Sequence, residues 1–199
     1  MADRLAQQIA FLVEADKLKN VVRRTPLVDA SRLENSAEHS WHLVLVIMVL
    51  REYGPDGVDW MRVLEMAAVH DLVEIDAGDT FAYDIEGHAT KVERELAGAD
   101  RIFGLLPPDQ QLRFRRLWEE FEAQQTVEAR FANAVDRLQP LLQNAHSGGG
   151  SWIGRSLEQQ QVLDRMAPIE AAMPDVWPHV VGVVETFCVA GIIRRGGDE

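Results

Sequence analysis

The 199 residues predict an all-α fold of seven or eight helices, and three observations carry that prediction. Apolar residues recur at three- and four-residue spacing nearly everywhere, which is the period of an α-helix. No stretch of any length alternates apolar and polar residues as a half-buried strand does. Gly, Pro and small polar residues punctuate the pattern where helices begin and end.

In order along the chain, Leu5, Ile9, Leu12 and Val13 start an amphipathic helix that runs to about Val22. "RRTPLVDASRLENSAEH" reads as a polar loop, with Ser36 as the N-cap of a second helix from about Ala37 to Tyr53. "GPDGVD" ends it, and a third helix covers about Trp60 to Ile75, with Val63, Ala67, His70 and Glu74 on one stripe. "DAGDTFAYDIEG" reads as a loop, and a fourth helix spans about Ala89 to Leu105, closed by Pro107-Pro108. A fifth covers about Gln110 to Ala123, and Thr126 caps a sixth that reaches about Ala145. "SGGG" is the one flexible stretch, and too little chain follows it to build a second core. Ser156 with Gln159 forms a capping box for a seventh helix, and a last, very apolar one covers Val180 to Ile193 as core or as a dimer face. The reading is one domain over 1–199, with the C-terminal helices of 156–195 inside it.

Composition narrows the function. Apolar residues make up 47% of the chain, enough for a real core. The longest apolar run, Leu43 to Leu50, is closed by Arg51-Glu52 and is too short to span a bilayer. "MADRLAQQ" has no leader-like apolar segment, and the single cysteine, Cys188, excludes an intrachain disulfide, so a cytoplasmic setting is expected. A net charge of −12 argues against DNA or RNA as partner. Small anions remain open where positive charge is concentrated, and two of the three lysines, Lys17 and Lys19, lie beside Arg23 and Arg24 in "DKLKNVVRR". A basic helix end that complements the macrodipole explains that segment as well. Trp118, Trp152, Trp177 and Cys188 read as core or interface residues.

The chemistry gathers around "HDLVEIDAGD". His70 lies on an apolar stripe, and a buried imidazole needs partners at both ring nitrogens. An adjacent buried Asp71 is costly unless a cation or a donor network meets it. A divalent metal answers both needs, because it accepts imidazole nitrogen and carboxylate oxygen together. Neighbouring helical residues point about 100° apart, so two side chains can still converge on one ion. His39 in "NSAEHSWH" shares a stripe with Leu43 and Val46 and faces inward, and His42 is ranked behind it. Asp136 interrupts an apolar stripe with Ala132, four residues before Pro140, where the missing N–H predicts a bend. Pairing of Asp136 with Arg130 or Arg137 is the competing reading.

The order His39, His70-Asp71, Asp136 on an all-α chain resembles the HD-domain phosphohydrolases, and most closely the small 5′-deoxynucleotidases among them. "LKNVVRR", "NSAEHS", "HDLVEIDAGD" and "AVDRL" match in order and spacing, covering about residues 5–142. The resemblance implies an HD-domain helical bundle with four metal ligands: His39, His70, Asp71 and Asp136. It implies that Glu74 and Asp79 act on the attacking water or the substrate sugar, and that an arginine at the end of the first helix holds the phosphate. Counting from "LK" gives Arg23; counting back from Pro26-Leu27 gives Arg24. It implies a homodimer and a nucleotide substrate, a deoxynucleoside 5′-monophosphate. Thr25 stands where the bacterial nucleotidase carries Trp, which leaves sugar and base preference open. Two-metal members of the superfamily place extra histidines between the HD pair and the last Asp. This chain offers only His88 there, so one divalent ion is expected: Co²⁺, Mn²⁺, Fe²⁺, Zn²⁺ or Mg²⁺. Another phosphate ester as substrate, or a metal-binding regulator without turnover, are the alternatives.

Overall fold

The structure, a computed structural model, describes residues 2–196. Helices α1 (Ala2–Ala15), α2 (Ser36–Leu50), α3 (Trp60–Val69), α6 (Lys91–Phe103), α7 (Pro108–Ala123), α8 (Val127–His146), α9 (Gln159–Ala172) and α10 (Trp177–Val189) form the bundle. Two short helices, α4 (Glu74–Ala77) and α5 (Ile85–Ala89), stand between α3 and α6. All-α is therefore the right class, with eight helices of ten residues or more.

Three local readings are corrected. The first helix stops at Ala15 and passes through a 3₁₀ turn, Asp16–Asn20, into a strand, β1 (Val22–Pro26). β1 pairs antiparallel with β2 (Leu33–Asn35), with Val22 opposite Asn35 and Pro26 opposite Leu33. A polar loop was expected here; the hairpin is too short to show a period, and its alternation is carried by arginines rather than by apolar residues. Second, the cap of α2 is Asn35, not Ser36: its side chain accepts from the Glu38 amide at 3.0 Å, and Glu38 accepts back from the Asn35 amide at 3.2 Å. Third, the capping box of α9 is Glu158 with Gln161, two residues beyond the expected pair.

α8 is the centre of the bundle, packed on α2, α3, α7 and α9. Ala132, Val135, Leu138 and Leu141 on it are buried. It runs through Pro140 without a break. Trp118 and Trp152 are core residues, and Trp177 packs against that core. Val180, Val184, Phe187 and Cys188 make one face of α10 core, while Val181 and Val189 are exposed. Among the described residues, no helix is long and apolar enough to cross a membrane.

The glycine-rich loop is wound, not slack. Gly148, Gly149 and Gly150 all have positive φ, and a Cβ on Gly150 would lie 2.4 Å from Asn144 Oδ1. That oxygen accepts from the Ser151 amide at 2.9 Å, which ties the loop to the end of α8.

Candidate metal centre

The third helix does not carry His70 and Asp71 on a straight stripe. α3 ends at Val69, and His70–Val73 form a 3₁₀ turn whose four residues are all buried. The tighter winding separates neighbouring side chains by about 120° instead of about 100°. Gly98 of α6 makes room for this turn: a Cβ there would lie 2.7 Å from the Val73 carbonyl oxygen. α4 then holds Glu74, and Gly78, at φ 73°, turns the chain so that Asp79 returns towards the same place.

His39, His70 and Asp136 each offer a donor atom, and these atoms lie within 4.8 Å of one another. It is the one such group among the described residues. His39 Nδ1 lies 3.0 Å from Gln139 Oε1, and His70 Nδ1 lies 3.0 Å from the Ala67 carbonyl. Both partners only accept, so Nδ1 is the protonated nitrogen in each ring. In the neutral rings, the form that binds a metal, that leaves both Nε2 lone pairs for the cluster. His39 Nε2 is 2.9 Å from Asp136 Oδ1; His70 Nε2 is 3.7 Å from the same oxygen and 3.0 Å from Asp71 Oδ1. His70 Nε2 is buried and makes no hydrogen bond. Lone pairs aimed at carboxylate oxygens repel unless a cation stands between them. Metal–ligand distances of about 2.0–2.2 Å place donors no more than about 4.4 Å apart, and the 2.9 Å and 3.7 Å separations of the two Nε2 atoms from Asp136 Oδ1 meet that limit.

Asp71 stands beside the triplet rather than within it. One of its oxygens faces His70 Nε2, and the other accepts from Arg23 Nη1 at 3.1 Å. The competing reading of Asp136 fails: Arg130 donates to the Gln125 carbonyl and Arg137 to the Asn133 carbonyl. His42 sits one residue further back, with Nδ1 3.1 Å from Gln139 Nε2, and His88 is exposed on α5. Asp76 faces away from the cluster and pairs with Arg101. Lys17 and Lys19 pair locally with Glu14 and Asp16 on the surface, so of the basic segment only the arginines reach the site.

Sequence reasoning missed the support behind the histidines. Glu34 is only 1% exposed. Its Oε1 accepts from Gln139 Nε2 at 2.9 Å and Gln143 Nε2 at 2.8 Å, and its Oε2 stands 3.6 Å from Arg23 Nε. Gln139 thus holds His39 in one tautomer while its own two N–H groups go to Glu34 and His42. A buried acid in an apparent loop gives no periodic signal; the i, i+4 spacing of Gln139 and Gln143 on α8 was the only available hint. Ser36, read as a cap, instead donates its hydroxyl to Glu74 Oε2 at 2.6 Å.

The electrostatics describe an anionic cup. Burial pulls the His70 imidazole down, but Asp71 and Asp136 outweigh it and hold its pKa well above the usual value. Burial raises Asp136, yet both histidines hold it well below the carboxylate range. Burial first, then the charges of Asp71 and Asp79, push the Glu74 carboxyl up to about 8 against the pull of Arg23. Asp79 is also raised, chiefly by burial, with Arg23 opposing at 3.8 Å.

A cavity opens from this cup. Arg23, Arg24, Asp79, Phe81, Tyr83, Asp136, Arg137, Trp152 and Arg165 line it. The alternation of β1 turns Arg23 inward, while Arg24 lies exposed at the rim.

The HD domain model matches residues 15–177. The chain is 45% identical to a predicted metal-dependent phosphohydrolase from Magnetospirillum magnetotacticum MS-1, with a TM-score of 0.90 over 96% of this chain and 98% of that one. It is 30% identical to the human and mouse 5′-deoxynucleotidase HDDC2 over 136 residues, 68% of this chain. That match spans 65% of the human protein and 67% of the mouse protein. A conserved hypothetical protein of Pyrococcus furiosus shares the fold, with a TM-score of 0.60 at 20% identity. Family match, fold and the converging His39, His70 and Asp136 agree: the chain belongs to the HD domain family.

Proposed function

We propose that the chain is a metal-dependent phosphohydrolase and, more narrowly, a 5′-deoxynucleotidase that releases phosphate from deoxynucleoside 5′-monophosphates. The observation that carries this reading is the convergence of two imidazole Nε2 atoms and Asp136 at the floor of an arginine-lined cavity. The names of the Magnetospirillum, human and mouse relatives support the reaction class and the substrate.

His39, His70 and Asp136 would hold the ion, with Asp71, whose Oδ1 faces His70 Nε2 at 3.0 Å, as the fourth ligand. A divalent ion there supplies charge neutralisation to a phosphate and lowers the pKa of water. Arg23 presents a guanidinium fork to the phosphate oxygens, held in place by Asp71, Asp79 and Glu34. Glu74, oriented by Ser36, takes the proton of the attacking water as the general base. Asp79 sits at the end of the Gly78 turn, where it can hydrogen-bond a sugar hydroxyl. Burial of the cup excludes bulk water, which strengthens each of these charges.

The same reading includes a homodimer. Trp41, Leu45, Met48 and Val49 form an exposed apolar stripe along α2 at i, i+4, i+7, i+8 spacing, and Trp41 is 67% exposed. A second copy meeting that stripe across a two-fold axis would cover it. The buried thiol of Cys188 fits a cytoplasmic setting.

The test is a substrate panel on metal-reconstituted protein: dAMP, dGMP, dUMP, dTMP, AMP and a generic phosphatase substrate. Phosphate release from the deoxynucleotides ahead of AMP is expected. Turnover on none of them, with any metal, would sink the enzyme reading.

A further inference from the structure

The arginines of the cavity are not alike. Arg23 is engaged by Asp71, Glu34 and Asp79. Arg137 and Arg165 line the same space, and among the described residues neither takes part in an ion pair. Elsewhere in this acidic chain, Arg4, Arg32, Arg62, Arg101, Arg113 and Arg115 each hold a carboxylate.

Arg137 is half-buried on α8, next in sequence to Asp136. Its Nη1 donates to the Asn133 carbonyl at 3.0 Å and lies 3.3 Å from Asn133 Oδ1, both neutral acceptors. Its Nε is buried with no acceptor at all. Arg165 projects from α9 on the facing wall and makes no side-chain hydrogen bond among the described residues. Tyr83 adds a third donor to this wall: its buried hydroxyl has no acceptor either. Two guanidiniums that line one cavity, neither paired with a carboxylate among the described residues, repel each other, and a buried donor left unmade costs about 1–3 kcal/mol. A group with several anionic acceptor oxygens relieves all of this.

We propose that Arg137 and Arg165, with Tyr83 beside them, form a second phosphate subsite, so that the chain prefers nucleotides carrying a phosphate beyond the one it cleaves. This deepens the reading of the active site and rests on it: Arg23 and the metal centre take the scissile phosphate, and the α8–α9 wall takes the other. The second phosphate is either the 3′-phosphate of a nucleoside 3′,5′-bisphosphate or the inner phosphate of a nucleoside diphosphate. The reaction stays the same. Water adds to phosphorus, the bond from phosphorus to the leaving oxygen breaks, and that oxygen takes up a proton.

The experiment compares KM and kcat of the metal-loaded chain for dAMP, dADP and deoxyadenosine 3′,5′-bisphosphate. One of the two doubly phosphorylated substrates is expected to show a KM at least tenfold below that of dAMP, and which one identifies the position of the second phosphate. Arg165→Met and Arg137→Met are each expected to remove that advantage, so that the KM values converge. In parallel, inorganic pyrophosphate should raise the Tm of the wild-type chain at concentrations at least tenfold lower than it does for Arg165→Met. Equal KM values for all three substrates in the wild type would overturn the proposal, and that comparison needs no variant to fold. Turnover on none of the three defeats the enzyme reading instead, and pyrophosphate binding then decides this one alone: an equal Tm response in wild type and variant overturns it.

Discussion

Two side chains that touch no substrate set the quality of this site. Ser36 donates to Glu74 at 2.6 Å, a hydrogen bond to an acid that is about 1.5–3 kcal/mol strong. Ser36→Ala should therefore lower kcat by about tenfold or more with little change in KM, as steady-state kinetics will show. Glu74→Ala should abolish turnover and leave metal content intact; loss of the metal, measured by elemental analysis, would make Glu74 a ligand. Gln139 fixes the His39 tautomer through a 3.0 Å contact. Gln139→Leu should weaken metal affinity by about 10–100-fold, since partners behind a ligating histidine carry effects of that size. A chelator competition titration reads it directly. His39, His70 and Asp136, which the fold brings together, were legible in the sequence because their types are rare on apolar stripes. Glu34, Gln139 and Ser36 were not, because polar residues in loops or at helix starts have many ordinary uses.

At the scale of elements, long amphipathic helices such as α7 and α8 were readable from their period, and Thr126 was readable as a cap because its hydroxyl has one obvious amide to meet. The β1–β2 hairpin and the 3₁₀ turn His70–Val73 were not. The hairpin is only a few residues long, and the turn is imposed by what packs around it. Gly98 shows how close that packing is. Gly98→Ala would bring a Cβ to 2.7 Å from the Val73 carbonyl oxygen, so backbone has to move. Such overpacking costs about 1–3 kcal/mol, which urea denaturation will detect as a lower midpoint. The shift also displaces His70 and Asp71, so metal affinity should fall together with stability. A loss of stability with unchanged metal affinity would separate the α6 contact from the site.

For the whole molecule, a net charge of −12 surrounds one cavity that is lined by four arginines. Composition argues against polyanions as partners and leaves small anions open, and an arginine-lined cavity is where a small anion would bind. The exposed stripe on α2 is the other feature at this scale. Trp41→Asp with Met48→Asp should convert a dimer to a monomer in light scattering, with the helical circular dichroism preserved. A monomeric wild type would remove the dimer from the account. The central claim is that the centre built by His39, His70, Asp71 and Asp136 holds a single divalent ion without which no phosphate is released. Stripping the protein with a chelator and titrating Mn²⁺ or Co²⁺ back during dAMP hydrolysis tests it most directly. The stripped protein should show no activity, with full recovery at one equivalent. Undiminished turnover in the metal-free protein, or recovery only after two equivalents, would contradict it.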